Sequence, residues 1–395
     1  MTFLFEIINL SFIIILLFLF ITYWRFDLLK SLILFFHIVT IFCLNYVLFS
    51  PSYMPDQKIY FNIANSIRTS FVFPNDLLTP TGIVGTFYAI FPIPFINSVY
   101  SIAMVNFILY LFLFWCLGKW KMFNNTTVFF FLLYPSLLLY SSVGLREVII
   151  LLLMIISVQF FVVQERFFLS FIIAIPLLLF RIQNFAIVIM SFFIFMFLSE
   201  KLNFRKVILI FSSIFLFLIV KDFPISRFTL GEFFTLEKLE FYREAFYNEE
   251  LRIGKDVNYY PISGVSDFIW VSSTNFFYMM FKPFPWESTN ILQLFQSFEN
   301  LIVIGIILWL NKTKIYEKVI KRKKLFLNIF LVVSMTVYGM VVFNYGSAAR
   351  YRFSFLTIYF LFYFYFLYLD KITLKNKFKI YENNFLNSQT VRTPI

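Results

Sequence analysis

The sequence predicts an all-α, polytopic membrane protein: a single integral membrane domain over 1–395 with about eleven transmembrane helices. Composition is the first reason, since 61% of the 395 residues are hydrophobic, only 14% are charged, and the mean hydropathy is +0.84. A soluble globule needs far more polar surface than that. The second reason is that the apolar residues come in runs long enough to cross about 30 Å of hydrocarbon at roughly 1.5 Å per residue. The third is that Lys and Arg concentrate in the short connectors between runs.

Apolar runs at 3–23 and 29–49 open the chain. The first, within "MTFLFEIINLSFIIILLFLFITYW", lacks a basic leading segment and a small-residue cleavage motif, so it reads as a retained span rather than a removed signal. A long connector, 50–96, contains "YMPDQKIYFNIANSIR", where Asp56, Tyr60 and Ala64 at four-residue spacing share one helix face. It also contains "TGIVGTFYAIFPIPF" (81–95), which is too short and proline-broken to span. Runs at 97–117, 125–143, 146–164, 167–181, 183–199 and 206–220 follow, then a second long connector, 221–296. Within it, "GEFFTLEKLEFYREAFYNEEL" (231–251) has charges at three- and four-residue spacing and reads as an exposed surface helix. "SDFIWVSSTNFFYMMF" (266–281) would reverse the parity if it spanned. Both it and 81–95 read as re-entrant or interfacial helices, tolerated where protein or a wet cavity covers the backbone. Runs at 297–311, 325–343 and 353–369 complete the set, with a basic loop at 312–324 and a tail at 370–395.

Orientation follows from the basic connectors "KWKMFNN" (119–125), "EKLNFRK" (200–206), "KTKIYEKVIKRKK" (312–324) and the tail "DKITLKNKFK", all of which belong on the cytoplasmic side. Alternation then puts the N-terminus and both long connectors outside and the C-terminus inside. The cytoplasmic segments hold 20 Lys/Arg against 6 Asp/Glu, and everything else 13 against 15. The net charge of +12 is therefore a topology signal, and no nucleic-acid partner is needed to explain it. The 62 phenylalanines read as lipid-facing bulk. Cys43, Cys116 and the single histidine, His37, lie in apolar runs and offer neither a disulfide framework nor metal-ligand spacing. Duplicated halves and paired broken helices, the marks of a transporter, are not evident in the sequence.

On this map four arginines, Arg146, Arg181, Arg350 and Arg352, stand at external ends of spans, where positive residues are normally depleted. Arg146 opens a helix, where the macrodipole disfavours a cation and favours Glu147 beside it. A planar guanidinium suits bidentate capture of phosphate or diphosphate in a partly dry site, and a lipid-linked diphosphate is the membrane-level ligand of that chemistry. The alternative for each arginine is that it snorkels to headgroups or pairs with Glu147, Asp56 or Glu299. Asp56 reads either as a general base toward a weakly acidic sugar hydroxyl or as a helix N-cap after Pro55. "FKPFPWESTNILQLFQSFENL" (281–301) brings Trp286, Glu287, Gln293 and Glu299 to the mouth of a span. Trp286 reads as an interfacial anchor or a sugar-stacking ring. Glu299 needs a partner, which Arg350 or Arg352 could supply.

"DQKIYFNIA", "YPSLLLYSSVGLREVIILLL", "RIQNFAIV", "KPFPWESTNILQLFQSFENL" and "YGSAARYRFSFL" occur in an order that resembles the Wzy-type oligosaccharide repeat-unit polymerases and related multispanning glycosyltransferases. The likeness covers roughly 53–365. It implies an enzyme of the bacterial inner (plasma) membrane that transfers a growing chain from undecaprenyl diphosphate to the non-reducing end of a new lipid-linked repeat unit. No cofactor, sugar nucleotide or obligatory metal is implied. The implied partners are the lipid-linked oligosaccharide, membrane lipid and a chain-length regulator protein. By position, Arg146, Arg181, Arg350 and Arg352 would hold diphosphate oxygens, and Asp56 would be the acid/base residue with Glu147 and Glu287 in reserve. Tyr60, Gln183, Trp286 and Glu299 would contact sugar. The sequence departs from the histidine-bearing outer loop of the O-antigen ligases, since His37 lies on a different stretch. Three other readings stay open: a GT-C-like bundle using a polyprenyl-monophosphate sugar donor, which would want a stronger acidic cluster than Asp56 and the distant Asp76; a flippase of lipid-linked oligosaccharide; and a membrane scaffold.

Overall fold

The computed structural model describes residues 2–50, 54–74, 77–199, 224–225, 228–229, 235–252, 259–288 and 291–390. The expected span at 206–220, the basic connector at 200–206, Asp76 and the first residues of the 231–251 helix lie outside the described residues. In chain order the helices are α1 (Thr2–Trp24), α2 (Leu28–Leu44), α3 (Pro55–Ser70), α4 (Pro80–Ile90), α5 (Val99–Lys119), α6 (Asn125–Leu133), α7 (Pro135–Ser141) and α8 (Glu147–Val158). They continue with α9 (Phe167–Ala174), α10 (Leu177–Phe180), α11 (Ile182–Ser199), α12 (Leu236–Arg252), α13 (Val265–Phe281), α14 (Ile291–Lys312), α15 (Lys318–Val341) and α16 (Tyr345–Thr390). Among the described residues the exceptions to an all-helical fold are a two-residue antiparallel pair, Pro224–Ile225 with Phe228–Thr229, and an isolated bridge between Asn45 and Phe49.

Among the described residues five helices are long and apolar enough to cross a membrane: Phe3–Trp24, Val99–Lys119, Gln293–Lys312, Lys318–Val341 and Tyr345–Lys377. Shorter apolar helical stretches among the described residues are Leu28–Leu44, Glu147–Val163 (α8 with the π-helical turn Gln159–Val163 that follows it), Phe167–Phe180 (α9 with α10) and Ile182–Leu198. A helix that is apolar all round satisfies every backbone group internally while offering hydrocarbon a compatible surface. Their burial sorts them by position. Only 17% of the α1 window and 22% of the α14 window are buried, against 78% for α5 and α16. α1 and α14 thus turn Phe18, Leu19, Ile302 and Trp309 outward, whereas α5 and α16 form the packed centre through Phe107, Tyr110, Phe114, Tyr359 and Tyr363.

Two expected spans are each built from two pieces. The run 125–143 divides at Tyr134–Pro135 into α6 and α7, because proline lacks an N–H and biases the residue before it away from helical geometry. The run 167–181 divides at Pro176 into α9 and α10 in the same way. Conversely, the run 353–369 is the middle of one longer helix, α16. The charged helix expected over 231–251 is observed as α12, but it is anchored as well as exposed. Arg243 is buried, its Nε donating to the Met340 carbonyl at 2.9 Å and its Nη2 to the Tyr260 carbonyl at 3.0 Å. α13, over the stretch 266–281, packs on α15 where Gly339 leaves room: a Cβ there would lie 2.5 Å from the Asn275 carbonyl oxygen.

The helix ends gather into two groups. At one, Lys119 meets the Tyr23 hydroxyl at 2.6 Å, and Asp370 accepts the backbone N–H groups of Tyr316 and Glu317. At the other, Asn45 after α2 donates to the Ser142 carbonyl at 2.9 Å, and Arg350 on α16 meets Glu147 on α8 and Asp56 on α3. That second end carries the charges singled out from the sequence.

Candidate functional site

The segment from α7 into α8 is fixed before any charge is considered. Three buried polar side chains hold its backbone. Gln57 of α3 accepts from the Gly144 N–H at 2.7 Å. Asn106 of α5 donates to the Val143 and Leu145 carbonyls at 2.6 and 2.7 Å, and the Tyr88 hydroxyl of α4 donates to the Leu145 carbonyl at 2.9 Å. Gly144 allows this approach, since a Cβ would stand 3.0 Å from Ile102 and 3.4 Å from the Gln57 oxygen. Buried backbone groups must find partners, and here the partners determine where Arg146 and Glu147 emerge.

Glu147, 1% exposed, is the first residue of α8, where the helix dipole favours an anion. Its Oε1 accepts from Arg350 Nε at 2.5 Å and from Arg181 Nη2 at 3.1 Å. Oε2 is buried with no hydrogen-bond partner among the described residues. Arg350 bridges onward, Nη2 donating to Asp56 Oδ2 at 2.8 Å. Arg181 lies over the Tyr351 ring, 4.4 Å from its centroid. Arg146 is the N-cap residue of α8 and donates from Nη1 to the Phe180 carbonyl at 3.0 Å, while its Nε is buried without a partner. Three guanidinium groups therefore surround two carboxylates, leaving one formal positive charge. Of the alternatives open at the sequence level, pairing with Glu147 and Asp56 is what Arg181 and Arg350 do.

Asp56 is not an N-cap. Met54 holds that position, Pro55 follows it, and Asp56 stands in the first turn of α3 with its carboxylate on Arg350. Tyr60, one turn on, is buried behind it. Loss of hydration raises its phenol to about 12, Arg146 pulling it down while Asp56 and Glu147 add to the rise. The hydroxyl is accordingly neutral at ordinary pH.

Arg352 stands apart from the other three arginines. Buried two residues beyond Arg350, it donates from Nη1 to the Met279, Met280 and Lys282 carbonyls and from Nη2 to Asn300 Oδ1. With those N–H groups engaged, it ties α13 and α14 to α16, and the expected convergence of four arginines is a convergence of three. Glu299 forms no ion pair within 4 Å among the described residues, contrary to the expectation of an arginine partner. Instead it accepts from Ser136 Oγ at 2.6 Å, with the Tyr134 hydroxyl beside it. Glu287 pairs with Lys282 at 2.7 Å and accepts the Phe284 N–H at 3.0 Å. Desolvation pushes that carboxyl up, but the Lys282 and Phe284 hydrogen bonds outweigh it and hold it below the usual range. Trp286 is exposed and stacks on Phe284, with centroids 4.8 Å apart. Gln183 is half-buried in the first turn of α11.

No protein-family model matches the chain. Neither does any curated protein or solved structure.

Asp56 and Arg350 line a cavity of about 1770 Å³, and they are joined there by Tyr140, Lys282, Gln293 and Glu299. Its wall continues along α6, α14 and α16 through Phe130, Leu133, Ile302, Ile306, Phe360 and Phe364. One end of the space is polar and charged, and the other is apolar. From Arg350 to Phe364 the wall follows fourteen residues of α16, about 21 Å at roughly 1.5 Å per residue, which exceeds half the hydrocarbon thickness. Among the described residues no group of three His, Cys, Asp or Glu could hold a metal ion. Gln57, Tyr88 and Asn106, which position the charged segment, were not expected from the sequence. A polar residue at the centre of an apolar run, as Asn106 is in 97–117, is the signal that could have found them.

Proposed function

We propose that the chain is a glycosyltransferase of the bacterial plasma membrane that joins undecaprenyl-diphosphate-linked oligosaccharide repeat units into a surface polysaccharide. Eleven spans, with the N-terminus outside and the C-terminus inside, put the Asp56–Glu147–Arg350 cluster on the external face. The observation that supports this reading best is the amphiphilic cavity. Its polar end carries a guanidinium and carboxylates, and its apolar end runs down α16, matching a ligand with a charged head and a long hydrocarbon tail. Diphosphate leaves readily once its developing charge is neutralised, and a preorganised guanidinium in a water-poor site supplies that neutralisation. In this reading Arg350 faces the diphosphate, Arg146 and Arg181 add positive potential behind it, Glu147 holds Arg181 and Arg350 in place, and Arg352 supports the fold. A chain-length regulator and membrane lipid are the other proposed partners, and no cofactor is invoked.

The test is reconstitution. Wild-type protein in liposomes, given only a lipid-diphosphate-linked repeat unit, should produce a ladder of lengthened products. Arg350→Lys keeps the charge but loses the planar fork, and it should reduce the rate by about 10²–10³, the typical cost of one lost oxyanion donor. Unchanged substrate with the wild-type protein would reject the polymerase reading. Movement of the substrate across the bilayer without joining would replace that reading with a flippase.

A further inference from the structure

We infer that Glu299, rather than Asp56, is the general base that deprotonates the acceptor sugar, an inference that rests on the polymerase reading above. Four carboxylates come into question, and their neighbours separate them. Glu147 is enclosed by Arg181 and Arg350. Asp56 is bound to Arg350 at 2.8 Å, and Glu287 to Lys282 at 2.7 Å. A carboxylate held in an ion pair has its lone pairs stabilised by a full positive charge and gives up that stabilisation on accepting a proton. Glu299 alone combines a place in the cavity wall with the absence of any ion pair among the described residues. Its oxygen is held by neutral donors instead, Ser136 Oγ at 2.6 Å and the neighbouring Tyr134 hydroxyl. Arg352 contributes positive potential nearby, but its N–H groups are engaged with three backbone carbonyls and Asn300.

Arg350 and Glu299, both in the cavity wall, then divide the reaction. Arg350 faces the leaving diphosphate, and Asp56 keeps Arg350 oriented. Glu299 accepts the proton of the acceptor hydroxyl as that oxygen attacks the anomeric carbon. The carbon–oxygen bond to the diphosphate breaks, its electron pair leaves on the diphosphate oxygen, and a glycosidic bond forms. The proton on Glu299 passes to water. Neutral hydroxyl donors keep the carboxylate positioned without suppressing its basicity as a cation would.

Azide separates a base from a residue that merely shapes the site, because it attacks an anomeric carbon without being deprotonated. Proteoliposomes of wild-type and Glu299→Gln protein would receive the lipid-diphosphate repeat unit with and without azide, and both the product ladder and the glycosyl azide would be measured. The inference expects Glu299→Gln to lose the ladder by about 10²–10⁴-fold, the usual worth of a general base, while forming glycosyl azide at close to the wild-type rate. A ladder within threefold of wild type would overturn it. Equal loss of ladder and azide product would overturn it in favour of a structural role, and the thermal unfolding midpoint of Glu299→Gln in detergent, expected to match wild type, checks for misfolding. A wild-type protein that makes neither product rejects the polymerase reading and this inference with it.

Discussion

At Glu147 two guanidinium groups share one carboxylate oxygen inside the protein. Removing ions from water costs several kcal/mol each, and only close, well-directed pairing offsets that. Asp56 is different, because its side chain is 35% exposed and water still solvates it. The two carboxylates on Arg350 should therefore differ in what they contribute to stability. Glu147→Leu leaves Arg181 buried without its carboxylate and should cost about 3–5 kcal/mol, read as a lowered thermal unfolding midpoint in detergent. Asp56→Asn should cost about 0–1 kcal/mol. Comparable losses in both variants would mean that Glu147 is not the centre on which the rim is assembled. The charged members of the site were legible in the sequence because charge is scarce in this chain. Arg146, Glu147, Arg181, Arg350 and Asp56 stand out against apolar runs. Gln57, Tyr88 and Asn106 did not, because neutral polar residues recur along the chain, and which of them face one backbone turn depends on how α3, α4 and α5 pack. Arg352 failed for the opposite reason. It has the same sequence setting as Arg350, but two residues along a helix rotate it by about 200°, to the carbonyls at the end of α13 rather than to the cluster.

Elements were legible wherever local chemistry dictates them. Pro135 and Pro176 end helices because of what a pyrrolidine ring forbids, and the breaks could have been placed from sequence. The close contact of α13 with α15 was not legible. It depends on Gly339, and nothing in the sequence distinguishes Gly339 from Gly305, each in an apolar helix. The structure does distinguish them: a Cβ on Gly339 meets the Asn275 carbonyl carbon and oxygen at 2.7 and 2.5 Å, while a Cβ on Gly305 meets nothing within 4 Å. Backbone cannot yield as a flexible side chain can, so Gly339→Ala should push the two helices apart and cost about 1–3 kcal/mol. Gly305→Ala relieves a glycine in a helix interior and should be neutral or stabilising by up to about 1 kcal/mol. Thermal midpoints of the two variants in detergent check the pair, and a neutral Gly339→Ala would contradict the packing. Because Arg352 donates to the carbonyls that follow this contact, displacement of α13 would also open the cavity wall at Lys282.

Across the whole molecule, orientation depends on where the bases leave the hydrocarbon. α16 has 46 residues, about 69 Å at roughly 1.5 Å per residue, more than twice the hydrocarbon thickness. Arg350 lies in its second turn, and 25 residues after Tyr345 the helix reaches Asp370, followed by Lys371, Lys375 and Lys377. Those lysines emerge at the same end as the loop 312–324, where Asp370 holds the Tyr316 and Glu317 N–H groups and Lys377 meets Glu317 at 2.7 Å. That loop carries seven Lys/Arg against one Glu, and retaining such a loop on the cytoplasmic side is the strongest local constraint on topology. With that loop on the cytoplasmic side, as proposed above, the charged rim at the opposite end of α16 would face outward. Cysteine labelling tests this in intact cells. With Cys43 and Cys116 replaced by serine, Leu78→Cys in the highly exposed stretch before α4 should react with a membrane-impermeant maleimide added outside. Lys314→Cys should react only after the membrane is permeabilised. The reverse pattern would turn the Asp56–Glu147–Arg350 cluster toward the cytoplasm and reject the external-face polymerisation proposed above.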